Sequence, residues 1–84
     1  MNKYKLNRIA KQIGEEVGNK AIVVISNNID VIEIQFNKGY ACDSSTMEFL
    51  ISIKKIYGFT HMITGVPFER SDSDKKYLTV TFIG

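Results

Sequence analysis

Cys42 and His61 are the side chains best suited to covalent chemistry, being the chain's one cysteine and one histidine. A thiolate and an imidazole make the smallest nucleophile and base pair, but a working pair also needs a third group to orient the ring. No such group stands out, so the sequence predicts no catalytic residues and a protein that is not an enzyme. Cys42 does stand just before a helix start, where a thiol's pKa can fall, yet a buried, idle cysteine is the ordinary reading of that placement. Asp72 and Asp74 have the alternate spacing of part of a calcium loop, but neither the glycine nor the closing glutamate follows, and Lys75 and Lys76 intervene. A solvated loop is expected there. With no glycine-rich phosphate loop, zinc spacing or nucleophile elbow in the chain, no metal and no cofactor are expected.

Residues suited to binding are more numerous. Lys3, Lys5, Arg8 and Lys11 crowd the first half of a helical segment while Glu15 and Glu16 lie near its end, and both placements oppose the helix dipole. Together with Lys75 and Lys76 they are the candidates for contact with a polyanion, a solvated face being the plainer alternative. A second candidate is the helix carrying Met47, Ile51 and Lys54. Its apolar positions, which include Phe49, Leu50, Ile53, Ile56 and Tyr57, spread over roughly 220° where a helix on a sheet needs little more than about 100°. The excess predicts either packing against the first helix or a partner surface centred on Met47 and Ile51. A third candidate is a sheet face presenting Glu33, Gln35, Tyr77, Thr79 and Thr81 and, depending on register, His61 and Ile63. One tyrosine among threonines and a carboxylate is a poor base-stacking platform, though a reasonable patch for a protein partner.

The elements that position these residues follow from periodicity. Leu6, Ile9, Ala10, Ile13 and Val17 recur at helical spacing over residues 3–17, with Gly18 placed to end the helix in a left-handed conformation. Residues 21–25 are an almost unbroken β-branched run closed by Ser26, Asn27 and Asn28. Residues 29–36 alternate, with Ile32, Ile34 and Phe36 on one side and Val31, Glu33 and Gln35 on the other, as in a half-buried strand. Ser45 and Glu48 have capping-box spacing and predict a helix from residue 45 to Tyr57, with Gly58 past its end. A strand over residues 60–68 holds Pro67, which suits a sheet edge. After a polar hairpin loop, the strand over residues 77–83 turns Leu78, Val80 and Phe82 inward.

Helix, strand, strand thus occurs twice. Ile9, Ala10, Ile13, Val17 and Gly18 align at a constant offset with Phe49, Leu50, Ile53, Tyr57 and Gly58, which fits a single domain of two αββ pseudo-repeats, residues 3–41 and 44–84. The expected fold is α+β: a two-layer sandwich in αββαββ order, permuted ferredoxin-like, with a four-stranded sheet and two helices on one face. The second strand of each hairpin is expected at the centre. The rival arrangement puts the first strands there, because residues 21–25 are the most continuously apolar.

Eighty-four residues, 44% hydrophobic and 24% charged with a formal charge of +2, suffice for one core and leave the partner's charge open. A lone cysteine, a polar basic start and no apolar run of about 18 residues predict a cytoplasmic protein away from the membrane. The chain is rich in Ile, Lys and Asn. The expectation from these features is a non-catalytic protein-binding module, in the manner of small phage or mobile-element accessory proteins that inhibit a host enzyme or defence nuclease by occupying its surface. A small nucleic-acid-binding protein using the basic first helix is the alternative, followed by a small-molecule regulatory domain; a homodimer fits the first and last.

Overall fold

The computed structural model describes residues 1–26, 29–65 and 78–84. Among these the chain runs α1 (Lys3–Val17), a 3-10 turn (Gly18–Lys20), β1 (Ala21–Ile25), β2 (Val31–Phe36), α2 (Ser44–Tyr57), β3 (His61–Gly65) and β4 (Thr79–Ile83). All neighbouring strands are antiparallel, in the order β1-β2-β4-β3. The second strand of each hairpin is therefore central and the first strands are edges, which is the permuted ferredoxin-like sandwich.

Alternation places the core. Ile32 and Ile34 of β2 and Val80 and Phe82 of β4 turn inward and are fully buried. Above them lie Leu6, Ile9, Ala10, Ile13 and Val17 of α1 and Leu50 and Ile53 of α2, joined in one cluster, so both helices cover the same sheet face. Phe59, just past α2, stacks on Phe82 with ring centroids 5.1 Å apart. Offset stacking of this kind adds to the burial of two large apolar side chains.

The helix ends follow the local signals only in part. Asn2 caps α1 by accepting the Lys5 N–H at 2.8 Å. The Ser45–Glu48 capping box is not formed; Asp43 is the N-cap, its Oδ1 accepting the Thr46 N–H at 2.7 Å, and α2 starts at Ser44. Four consecutive residues, Asp43 to Thr46, could each cap a helix, and the carboxylate is the strongest acceptor facing the positive helix end. Gly58 is left-handed as expected (φ 71°, ψ 32°), whereas Gly18 has positive φ but ψ −136° and leads into the 3-10 turn. β2 begins at Val31; Ile29 lies outside it and is exposed, its carbonyl accepting the Val31 N–H at 2.8 Å. Pro67, Asp72 and Asp74 lie outside the described residues, as do Lys75, Lys76 and Tyr77.

Because both helices lie on one face of the sheet, every strand has a second face they do not cover; on β1 Ala21, Val23 and Ile25 face the helices, and the alternate residues Ile22 and Val24 are left on the other face of the sheet.

Candidate functional site

Strand register builds the face opposite the helices row by row. One row across the sheet is Ile22, Gln35, Thr79 and Gly65; the next is Val24, Glu33, Thr81 and Ile63; the third holds Val31, Ile83 and His61. Among the described residues nothing covers this face. Ile22, Val24 and Ile63 keep 54%, 45% and 53% of their surface accessible, where a buried β-branched side chain would keep almost none. Single exposed aliphatics are ordinary; here Ile22 and Val24 adjoin on β1 and Ile63 stands on β3 at the opposite edge, so the face is apolar along both edges with Glu33 and Thr81 between them.

Polar groups punctuate the patch. Glu33 occupies the middle of the central row and accepts a hydrogen bond from Gln35 Nε2. Thr79 Oγ1 donates to the Gly65 carbonyl at 3.3 Å, which braces the β3–β4 pair. Thr60 Oγ1 donates to the Ile83 carbonyl at 3.0 Å and stands 2.9 Å from His61 Nδ1. The face thus offers apolar area with one central carboxylate.

Of the sheet-face residues named from sequence, Glu33, Gln35, Thr79 and Thr81 are brought together as expected, with His61 and Ile63 beside them; Tyr77 is outside the described residues. Sequence reasoning missed Ile22 and Val24. The signal was available in the unbroken apolar run of residues 21–25, which in a sheet covered by helices on one face only must leave one apolar side bare.

The helix-face candidates fare differently. Met47 is half-buried and packed against the core, Lys54 is half-buried, and Ile51 alone reaches solvent appreciably at 36% exposure. Ile56, one end of the same broad apolar arc, is instead 71% exposed.

The basic residues Lys3, Lys5, Arg8 and Lys11 are all exposed on α1. Arg8 and Lys11 line a shallow groove with Tyr4, Gln12, Glu15 and Tyr57, the last contributed by α2. Tyr57 donates its hydroxyl to Gln12 Oε1 at 2.9 Å, and Lys5 Nζ stands 6.0 Å from the centre of the Tyr57 ring.

Cys42 and His61 are not brought together: Cys42 belongs to the buried cluster on the helix side, and His61 is on the opposite face. Burial, and secondarily the Asp43 carboxylate, push the Cys42 thiol up to about 11, the reverse of what a nucleophile needs. The Thr46 backbone N–H, with smaller help from the Thr46 side chain and Lys20, holds the Asp43 carboxyl below its ordinary value. Among the described residues no three histidine, cysteine, aspartate or glutamate side chains converge as metal ligands, and no helix is long and apolar enough to cross a membrane.

Comparison with protein-family models, with curated proteins and with solved structures returns no match, so function must be argued from the geometry of this chain's own residues.

Proposed function

We propose that this protein is a non-catalytic protein-binding module that acts through the open face of its sheet, occupying a partner's surface as a steric inhibitor does. The observation that carries the reading is the shared exposure of Ile22, Val24 and Ile63 around Glu33 on a face no described residue covers. A rigid sheet presents such a patch without ordering cost, because its backbone is already hydrogen-bonded on both sides of β2 and β4.

The partner's chemistry follows from the same rows. Its surface is flat and apolar and carries a lysine or arginine opposite Glu33, since a carboxylate desolvated without a counter-charge would cost affinity. A face-to-face homodimer about an axis through β2 and β4 is disfavoured, because it would bring two Glu33 carboxylates together. The test is binding to a purified partner taken from an extract of the native host. Ile63→Asp and Glu33→Arg are expected to weaken the complex at least tenfold, by about 1.4 kcal/mol or more, while Ile56→Asp on the helical side leaves it unchanged. Equal binding by all three variants would reject the sheet face as the interface.

A further inference from the structure

The α1–α2 groove is a separate surface that the sheet-face reading does not use. Along α1, Tyr4, Arg8, Lys11 and Glu15 follow one another at helical spacing and form one wall, while Tyr57 of α2 stands across from them. Tyr4 is 75% exposed, the highest value for any large apolar side chain among the described residues. No hydrogen bond or ring contact among the described residues involves its side chain. Arg8 and Lys11 have no described carboxylate within ion-pair distance, the Met1 amino group with Asp30 being the one ion pair among the described residues.

Electrostatics at this end of α1 add rather than cancel. The first turn holds no acidic residue, so the partial positive charge of the helix N-terminus is reinforced by Lys3, Lys5, Arg8 and Lys11. Lys3 and Lys5 sit in the first turn, where a cation opposes its own helix dipole, and Glu15 is the one carboxylate in the groove. A local arrangement that costs stability without an internal partner points outward, to an anion.

We propose that this groove binds single-stranded nucleic acid, with a base stacked on Tyr4 and adjacent phosphates held by Lys5, Arg8 and Lys11. The ring separates this ligand from other anions. An acidic peptide offers an exposed tyrosine a stacking partner only where it happens to carry an aromatic residue, whereas every nucleobase has a face that stacks and a phosphate next to it. A duplex hides its bases, so the strand is single. A membrane surface is disfavoured because the aliphatic residues of α1, Leu6 to Val17, are all committed to the core, which leaves Tyr4 as the helix's one exposed large apolar side chain, too little for an inserted apolar face. From Lys5 to Lys11 the helix axis advances about 9 Å, a short contact, so affinity is modest and strongly salt-dependent.

The test is fluorescence anisotropy of labelled oligothymidylate and oligouridylate of about 12 nucleotides titrated with the intact protein. An abasic strand of the same length is the third probe. Saturable binding is expected at about 50 mM salt, with log affinity falling against log salt at a slope near −2, as roughly three phosphate contacts require. Tyr4→Ala is expected to weaken binding of the base-bearing strands about fivefold or more and to leave the abasic strand unaffected. Arg8→Glu with Lys11→Glu is expected to weaken all three probes at least about tenfold; if that pair fails to fold by circular dichroism, Arg8→Gln with Lys11→Gln gives the same readout. Ile63→Asp, on the sheet face, leaves these affinities unchanged, so failure here is distinguishable from failure of the protein-binding reading. No saturable binding at low salt overturns the proposal. Binding indifferent to Tyr4→Ala, or equal for base-bearing and abasic strands, overturns it too, because the groove would then be attracting charge alone.

Discussion

Ile32 and Phe82 are direct partners across the β2–β4 ladder, and neither exposes any surface. They mark the line along which the two αββ halves meet. Because Phe82 also stacks on Phe59 at the end of α2, one side chain ties the sheet's centre to the helical layer.

Phe82→Ala is accordingly expected to cost about 3–5 kcal/mol, the cost of a large cavity in a closed core. A chain of this size has about 4–13 kcal/mol in total, so the variant sits near the edge of folding. Ile32→Val, removing one methyl group from the same contact, costs about 0.5–1.5 kcal/mol and stays folded. Urea denaturation followed by circular dichroism distinguishes these; equal midpoints for Phe82→Ala and wild type would place the core elsewhere.

Asp43, not Ser45, caps α2. Asp43→Ala should lower the melting midpoint by several degrees at neutral pH, and Ser45→Ala should leave it nearly unmoved. The native carboxyl has a depressed pKa, so its contribution is complete above the ordinary aspartate value and is lost as pH falls through the native one. The gap between wild type and Asp43→Ala therefore narrows on acidification, which thermal melts across a pH series would read.

The Cys42 thiol is predicted to react slowly with a disulfide reagent such as DTNB in the folded protein and quickly once denatured. Its native pKa of about 11 exceeds the ordinary 9.0. Above 9.0 the unfolded chain loses this proton while the native protein keeps it until about 11, so stability falls across that window as pH rises. Cys42→Ala should show a shallower decline than wild type over the same range.

Two glycines are expected to respond oppositely to alanine. Gly14 lies inside α1, and a methyl group added there would meet nothing within 4 Å, so Gly14→Ala should stabilise by about 0.5–1 kcal/mol. Gly58 has φ 71° at the end of α2, where alanine is strained, and Gly58→Ala should destabilise by about 1 kcal/mol. Paired chemical denaturation curves would show midpoints shifting in opposite directions.

The layer order was legible because three of its signals are periodic: the α1 stripe from Leu6 to Val17, the alternation of Ile32 and Ile34, and that of Leu78, Val80 and Phe82. The bare patch was half legible. Glu33, Gln35, Thr79 and Thr81 announce a solvent side by being polar, whereas Ile22 and Val24 look like core until both helices are seen to lie on the opposite face of the sheet. The α2 cap could not be picked out, because Asp43, Ser44, Ser45 and Thr46 are all competent and only backbone geometry selects among them. The groove beside Tyr4 depends on where Tyr57 of α2 lands against α1, a relation between residues far apart in sequence that local patterns do not encode.

Whether the open sheet face is the partner-binding surface is tested most directly by photo-crosslinking. A photoreactive phenylalanine analogue replaces Ile63 in one sample and Ile56 in another, and each is irradiated in stoichiometric complex with the purified partner. The prediction is an efficient adduct from position 63, mapping to partner residues beside a lysine or arginine, and little from position 56. Adducts from position 56 with none from position 63 would contradict it.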